Sequence, residues 1–440
     1  MTHHLTRRHF LKAGAVAAVT VVSPLSARAA SANGKLRTAH VGVGGMGMSD
    51  LKSLRSHPQL EVFALCDVDQ SRLDTAAGMH PQAKTFSDFR EMLAELGDQV
   101  DAVVVSTPDH THAPAAMTAL NLNKPVYCQK PLTHDVYESR RLREVADSRK
   151  VPTQMGIQVH SSKQYRQAVQ IIQSGGIGKV SHVYVWCNKT WGYDGGPFDN
   201  FAPPPDSLAW DLWIGTAAER PYVPNAYHPG NWRKLVDFGC GTLGDMAVHI
   251  LDTPFTALEL TAPKWVKSTC RVVDGIGFPT KTRVDYEFPG TRYTTSAVKC
   301  TWLDGHMAPP KAEEIGLSAD IQLPGSGAFL TGEEGMMLLP HVGDAVLFPE
   351  TKFKDYRRPD VEGVSHYHQW VDACLGKGET SAPFSYGGPL TEALLLGAVG
   401  MRYPGQELGW DAQAMQITNL PEANRLLKRE YRDGFKVEGL

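Results

Sequence analysis

The stretch KLRTAHVGVGGMGMSDLKSL, residues 35–54, decides the fold class of this 440-residue chain. Residues 36–43 alternate and end in small side chains, which predicts a strand, and a helix is expected from Met46 onward. The turn between them has the spacing G-x-G-x-x-G, which lets backbone N–H groups approach a dinucleotide pyrophosphate at a helix N-terminus. The residues predicted to hold the dinucleotide here are Gly42, Gly44, Gly45, Met46 and Gly47.

An acidic residue at the expected distance supports this interpretation. LEVFALCDVD, residues 60–69, predicts a second strand, and Asp67 ends it. An acid about 20 residues after the glycine pattern binds the adenine ribose hydroxyls. A carboxylate at this position also repels a 2′-phosphate, so NAD is favoured over NADP. Arg72 lies close by and leaves NADP as the less favoured alternative.

Apolar runs and helical segments continue to alternate. VDAVVVSTPDHTHAP (100–114) predicts a buried strand followed by a polar loop, with a helix near 113–122. KPVYCQKP (124–131) predicts a further short strand. This order indicates a doubly wound parallel sheet, a Rossmann domain over residues 35–155.

Ligands of such sheets bind beyond the carboxyl ends of the strands. The segments STPDHTH (106–112) and CQKPLTH (128–134) follow two of these ends, which places Lys130 beside the expected nicotinamide position. The predicted cofactor contacts in these segments are Thr107, Pro108, His112, Gln129 and Lys130.

These motifs together resemble the Gfo/Idh/MocA family, named after glucose–fructose oxidoreductase, inositol dehydrogenase and a rhizopine-catabolism protein. The resemblance rests on GVGGMG, CDVD, STPDHTHAP and CQKPLTH and extends to WRKLVDFGCGTLGDMAVHILD (232–252). It implies a C-terminal α/β domain, here residues 156–440, with a large, mostly antiparallel sheet. It also implies NAD(P), a carbohydrate substrate and a homodimer or homotetramer. We further expect a helix over 389–403 to pack back on the Rossmann domain.

The predicted catalytic residues are Lys130, Asp245 and His249. Asp245 and His249 lie four residues apart and would share one face of a helix, and the resemblance implies that this face points at the substrate carbinol. A neutral imidazole can take the hydroxyl proton, and Lys130 can stabilise the developing oxyanion. The family usually has Glu at the position of Gln129, so a negative charge is missing there. The resemblance also implies a cofactor or substrate contact for Gln158.

A Gly/Pro-rich segment with interleaved aromatic residues, 190–222, predicts long loops over the second domain. Aromatic faces are good platforms for sugar rings. The predicted substrate residues in and after this segment are Trp191, Tyr193, His228, Trp232 and Arg233.

The N-terminus resembles a targeting segment. TRRHFLKAGAVAAVTVVSPLSARAASA (6–32) contains the pair Arg7–Arg8, a weakly apolar stretch and a small-residue cleavage site. It resembles a twin-arginine export signal over residues 1–30. We therefore expect a periplasmic or extracytoplasmic protein that is exported folded, with its cofactor already bound.

Composition excludes several other classes. The formal net charge of −3 and the lack of a nucleic-acid motif argue against binding to DNA or RNA. The seven cysteines form no C-x-x-C pair and the histidines show no ligand spacing, so no metal is expected. No apolar run reaches about 18 residues, so no membrane insertion is expected after signal cleavage. Two activities stay open, a sugar oxidoreductase and an NAD-dependent glycoside hydrolase.

Overall fold

The computed structural model describes residues 34–440, so the predicted signal peptide lies outside the described residues. Residues 34–156 alternate strands and helices, as the glycine pattern and the apolar runs predict. The elements are β1 Leu36–Val41, α1 Met46–Arg55, β2 Leu60–Cys66, α2 Gln70–Met79, β3 Lys84–Phe86, α3 Phe89–Leu96, β4 Ala102–Val105, α4 Asp109–Asn121, β5 Val126–Gln129, α5 Val136–Arg149 and β6 Thr153–Gly156.

The six strands form one parallel sheet in the order β3-β2-β1-β4-β5-β6. Strands β4, β5 and β6 are buried along their whole length, as expected when helices cover both faces. The first three strands are added toward one side of the sheet and the next three toward the other, so the order of the strands reverses between β1 and β4. The loops after β1, β4 and β5 therefore meet at one edge, where such sheets bind their ligands.

Helix α4 differs from the prediction, because it begins at Asp109 rather than near residue 113. Pro114 lies inside it and has no N–H to donate to the carbonyl oxygen of His110. That oxygen instead accepts hydrogen bonds from Arg429 Nη2 at 2.5 Å and from Thr216 Oγ1 at 3.3 Å. Distant residues thus compensate for the proline, and the segment predicted as a polar loop forms the first helical turn.

The remainder of the chain builds a second sheet and the helices around it. The strands are β7 Val180–Cys187, β8 Trp265–Thr269, β9 Arg283–Pro289, β10 Thr294–Asp304, β11 Ser326–Gly332, β12 Met336–Pro340, β13 Val346–Phe348, β14 Glu407–Asp411 and β15 Gln416–Ile417. The helices are α6 Lys163–Gln173, α7 Trp210–Ile214, α8 Val248–Ile250, α9 Asp252–Ala257, α10 Glu350–Phe353, α11 His366–Cys374 and α12 Phe384–Gly400.

This sheet has nine strands in the order β13-β12-β11-β7-β10-β9-β8-β14-β15. All neighbouring pairs are antiparallel except β7 and β10, which run parallel, so the sheet is mixed but mostly antiparallel, as predicted. Side chains of β8 and β9 alternate between a buried face and a polar face, whereas the end of β10 and the middle of β11 are buried on both faces. On the polar face the His182 and Tyr184 rings stack at 4.0 Å, and Thr301 donates to Asp285 at 2.8 Å.

Helix α12 connects the two halves of the molecule. It begins at Phe384, five residues before the predicted start at 389, and contains Pro389. It lies against α5, where Arg140 forms an ion pair of 2.8 Å with Glu392. Within residues 34–440 all seven cysteines are free thiols, six of them buried. In the same range no helix is long and apolar enough to cross a bilayer, and no group of three His, Cys, Asp or Glu could hold a metal ion.

Candidate active site

A cavity of about 270 Å³ opens at the carboxyl edge of the parallel sheet. It brings together residues from the loops after β1, β2, β4 and β5 with residues that follow the Rossmann domain, from Leu212 onward. The predicted cofactor residues on its wall are Gly42, Gly44, Gly45, Met46, Asp67, Thr107, Pro108, His112, Gln129 and Lys130.

The glycine turn has the close approaches that this residue type allows. Gly42 has a φ of +82°, and a Cβ there would lie 2.7 Å from the carbonyl oxygen of Ser106. Gly47 does not line the cavity, because it packs behind it, where a Cβ would lie 2.1 Å from the oxygen of Gly42. The loop can therefore present its backbone to a bound pyrophosphate while helix α1 packs tightly against the strand.

Asp67 stands at the end of β2 with both carboxylate oxygens against the backbone. It accepts from the N–H of Val43 at 2.8 Å and from the N–H of Asp69 at 2.9 Å. Each oxygen keeps further accepting capacity, as binding of a ribose diol requires. The Arg72 guanidinium lies over Gly44, where a Cβ would be 2.1 Å from Nη1. These residues fit the adenosine and pyrophosphate portions of NAD.

Lys130, which lines the cavity, forms an ion pair with Asp245. Lys130 Nζ donates to Oδ1 of Asp245 at 2.8 Å and to its backbone oxygen at 3.0 Å. Trp191 Nε1 donates to Oδ2 at 2.8 Å, and Arg233 Nε lies 3.3 Å from Oδ1. Burial alone would raise the pKa of Asp245, but Lys130 and Arg233 hold that pKa well below its usual range. Asp245 is therefore a carboxylate at neutral pH.

The sequence predicts a regular α-helix at Asp245, but the structure has a π-helical turn there. Leu243–Ala247 form a π-helical turn that leads directly into α8. Single π turns shift the hydrogen-bond pattern by one residue and are frequent at functional sites. Here the turn presents the Asp245 carbonyl oxygen to Lys130. The sequence spacing placed Asp245 and His249 on one helix but did not predict the π turn that contains Asp245.

His249 follows in α8 with a buried Nδ1 that has no hydrogen-bond partner within residues 34–440. Burial, together with the charge of Lys130, lowers the pKa of His249 well below its usual range. The imidazole is neutral at physiological pH and can accept a proton. Its ring lies 5.8 Å from that of His341, between centroids.

Asp109, in the first turn of α4, is a further carboxyl of the cavity that the sequence analysis did not single out. It is 4% exposed. Burial raises its pKa to about 7, against the opposing effect of the Arg233 charge. This group exists in both protonation states near neutral pH. Its place directly after the β4 strand end was the signal that could have identified it.

The buried side chain of Gln129 is hydrogen-bonded to the buried carboxylate of Asp50. Its Nε2 donates to both oxygens of Asp50 at 3.0 and 2.9 Å, and its Oε1 accepts from the N–H of Lys130 at 3.2 Å. Asp50 also accepts from Tyr367 OH at 2.9 Å. Gln158 lies behind this network, donates to Tyr367 OH at 3.1 Å, and is not among the residues that line the cavity.

The predicted substrate residues fall into four places. Trp191 contacts Asp245, as described above. Trp232 and Arg233 line the cavity, with the guanidinium 4.3 Å from the indole centroid. His228 also lines the cavity but bonds Asp69 at 2.9 Å, on the side of Asp67 and Arg72. Tyr193 stacks on Phe198 at 5.0 Å and donates to Gly196, so its ring packs within its own loop.

Comparison with known proteins adds independent findings. Residues 36–157 match the model of an oxidoreductase family with an NAD-binding Rossmann fold, and residues 164–278 match the C-terminal α/β domain model of the same family. Together the two matches cover more than half of the chain. The cofactor of the Rossmann domain is therefore NAD, in agreement with the fit of the glycine loop and Asp67.

Two curated relatives and one solved structure illustrate the similarity. The chain is 31% identical over 152 residues to an inositol 2-dehydrogenase of Salmonella typhimurium (34% of this chain, 45% of the relative). It is 29% identical over 209 residues to a glycosyl hydrolase family 109 protein of a Shewanella strain (41% and 45%). The chain thus spans less than half the length of these relatives. The WlbA dehydrogenase of Bordetella pertussis, solved with NADH and UDP-GlcNAcA, has a TM-score of 0.60 at 16% identity, covering 86% of this chain and 99% of its own, and shows the shared fold.

The position of Asp67 gives a prediction about cofactor preference. We expect Asp67→Asn to reduce the ratio of the NADP to the NAD dissociation constant by about tenfold, because it removes a negative charge from the cavity wall that opposes a 2′-phosphate. Asparagine keeps one acceptor oxygen for the backbone amides. Fluorescence titration of nucleotide-free protein measures both constants. An unchanged ratio would show that Asp67 does not face the adenosine ribose.

Proposed function

Since the chain belongs to the Gfo/Idh/MocA oxidoreductase family, we propose that it oxidises a secondary hydroxyl of a sugar, glycoside or polyol with a tightly held NAD that is recycled in place. The observation that carries the proposal is the ion pair of Lys130 with Asp245, because Lys130 lines the same cavity as the dinucleotide loop. Bound NAD supplies the hydride acceptor and donor.

The protein's own groups hold the substrate and move its proton. Lys130 Nζ has three hydrogens, of which two are directed at Asp245, so one remains for the reacting oxygen of the sugar. Its positive charge stabilises the oxyanion that develops as the hydroxyl proton leaves. Asp245 fixes the direction of Lys130 and is itself fixed by Trp191 and Arg233.

His249 is the proposed proton acceptor. Its imidazole is neutral, and the unpartnered Nδ1 is free of competing hydrogen bonds within the described chain. The side chains of Lys130 and Asp245 are only 16% and 13% exposed, and this partial burial strengthens the field of Lys130. Proton removal by His249 and charge stabilisation by Lys130 then act on the same oxygen.

A second candidate activity is a redox-neutral glycoside hydrolase. In that cycle a ring hydroxyl is oxidised, the adjacent C–H loses its proton, and the aglycone leaves. Water then adds, and the ketone is reduced again. The cycle needs one more acid–base group than an alcohol dehydrogenase, and Asp109, whose pKa burial raises to about 7, supplies one in the same cavity. The similarity to the Shewanella glycosyl hydrolase family 109 protein supports this alternative.

We also propose that the protein works outside the cytoplasm, on the basis of the twin-arginine pattern at Arg7 and Arg8. Free NAD is scarce there, so an enzyme that released NADH after each turnover would stop. A cofactor loaded before export and regenerated within each cycle avoids this problem. We further expect the polar face of the nine-stranded sheet to be covered by a second subunit.

The test uses purified mature protein without added cofactor. It is incubated with aryl glycosides and free sugars while NADH absorbance and aryl release are followed together. NADH formation that stops at one equivalent per site, without aryl release, supports the sugar oxidoreductase. Aryl release without net NADH supports the hydrolase. Continuous NADH formation that requires added NAD would contradict the proposal of a retained, recycled cofactor.

A further inference from the structure

The segment of residues 427–440 lies against the Rossmann domain, although it belongs to neither of the two matched family domains. It contains no helix or strand. Side chains of three Rossmann helices donate to its backbone carbonyl oxygens: Arg90 of α3 at 2.6 Å, Asn121 of α4 at 2.9 Å and Arg141 of α5 at 3.1 Å. The course of this segment is therefore fixed by the cofactor domain.

Two arginines of the segment fix it further. Arg429 Nη2 forms an ion pair of 3.0 Å with Glu138, whose side chain is only 2% exposed. Removing one partner of so buried a pair is strongly destabilising. Arg432 Nε donates to the carbonyl oxygen of Gly215 at 3.1 Å, and its Nη1 pairs with Asp211. The segment is thus held between the Rossmann helices and the chain around α7.

Phe435, which follows these anchors, lines the cavity of the dinucleotide loop. The guanidinium carbon of Arg90 lies 4.1 Å from its ring centroid, and that of Arg432 lies 4.4 Å away. At such distances a cation is attracted to an aromatic ring. Val437 of the same segment packs on the main hydrophobic core, and Phe435 does not. Its ring is therefore held at the cavity wall instead of in the core.

The contacts of Phe435 place it on the β3 side of the cavity. Arg90, which lies over the ring, also donates from Nε to both carboxylate oxygens of Asp88 at 3.0 Å, and Asp88 follows the end of β3. Strand β3 is the neighbour of β2, and the N–H of Asp67 donates to the carbonyl oxygen of Phe86 at 3.2 Å. Because Asp67 fits the adenosine ribose, the adenine base belongs on this side of the cavity.

We propose that Phe435 is a cofactor-binding residue, that its ring contacts the adenine of NAD, and that the segment of residues 427–440 thereby slows release of the cofactor. An aromatic side chain offers apolar surface to the purine ring. Arg429 and Arg432 keep this surface in place, so the adenosine end can leave only when the contact is broken. The slow release rests on the proposed function, in which NAD is retained, whereas the contact requires only that the Rossmann domain binds NAD.

Exchange of bound NAD tests the inference without requiring turnover. Holoprotein that carries isotopically labelled NAD is mixed with excess unlabelled NAD, and release of the label is followed over time. We expect Phe435→Ala to speed release about tenfold, because the aromatic contact with the base is lost. Phe435→Tyr keeps the ring and should stay close to wild type. The thermal midpoint should change little in either variant, since Phe435 does not pack on the main core.

Two further variants serve as controls. Val437→Ala shortens a core-packed side chain of the same segment, and Phe201→Ala removes an exposed ring that does not line the cavity. Neither should speed release. In Phe435→Ala the dissociation constant of ADP-ribose, which keeps the adenosine portion and lacks nicotinamide, should rise by the same factor as that of NAD.

Unchanged release from Phe435→Ala, equal acceleration by Val437→Ala, or weaker binding of NAD without weaker binding of ADP-ribose would overturn the inference. Rapid release from the wild-type protein would contradict the retained cofactor of the proposed function and the slowing of its release. A dissociation constant of ADP-ribose that depends on Phe435 would then still support the contact with adenine.

Discussion

Lys130→Met is expected to lower turnover by about a thousandfold or more while NAD stays bound. The substitution removes the donor and the positive charge that stabilise the developing oxyanion, and loss of one such donor costs about 100- to 1,000-fold. Lys130 also fixes Asp245, so the loss should exceed that of a single donor. NAD remains because the glycine turn and Asp67 hold its other end.

The structure explains why the fold should survive this change. Asp245 keeps its hydrogen bonds from Trp191 and Arg233, so the carboxylate is not left without partners. Nucleotide content per chain and the thermal midpoint are therefore the controls, and both should stay close to the wild-type values. Turnover within about tenfold of wild type would show that Lys130 does not contact the reacting oxygen.

The Rossmann half was predictable because its signals are local. The glycine spacing, the apolar runs and the acid after the second strand each depend on neighbouring residues, and β1, α1, β2 and β5 lie where the sequence predicts them. Helix α4 was misplaced because its stability depends on Arg429 and Thr216, which no local pattern connects with Pro114.

In the candidate site, too, residues within sequence motifs were predictable and contacts between distant segments were not. Lys130 and Asp245 were predicted from their motifs, and the structure brings them to 2.8 Å across 115 positions of sequence. Trp191 was predicted as a wall for the sugar, but its indole N–H donates to Asp245. His341 was not predicted, since it comes from a connection without any motif. Only the packing of the second sheet brings it beside His249.

Gln129 shows most clearly what the sequence could not reveal. The motif indicated a missing negative charge, whereas the structure shows that a charge is present one contact away, on Asp50. Asp50 is fully buried, and Ser106 Oγ donates to it at 2.7 Å in addition to Tyr367 and Gln129. Burial raises its pKa to about 6 despite these donors. The pair therefore carries one negative charge, placed on α1 instead of on the strand end.

This arrangement predicts a large effect of Gln129→Glu, which places two carboxyl groups in contact in a buried position. Two such groups share one proton, and the pKa of one rises strongly. A carboxyl whose pKa is higher in the folded than in the unfolded state makes the folded protein less stable as pH rises from the unfolded to the folded pKa. Wild-type Asp50 already keeps its proton to about pH 6. The free energy of unfolding of the variant should therefore fall, relative to wild type, by about 1.4 kcal/mol per pH unit above about pH 6, until the shared proton is lost.

Asp50→Asn combined with Gln129→Glu should restore most of this loss, because the hydrogen bond between an amide and a carboxylate is rebuilt with its polarity reversed. The carboxylate introduced at position 129 could then accept from the N–H of Lys130, as the Oε1 of Gln129 does. Guanidinium unfolding of the four proteins at several pH values gives the coupling energy, which we expect to reach about 3 kcal/mol. Strictly additive single-variant effects would mean that Asp50 and the side chain at position 129 stabilise the protein independently. A coupling that also appears in NAD affinity would mean that the buried pair helps to position the cofactor end of β5.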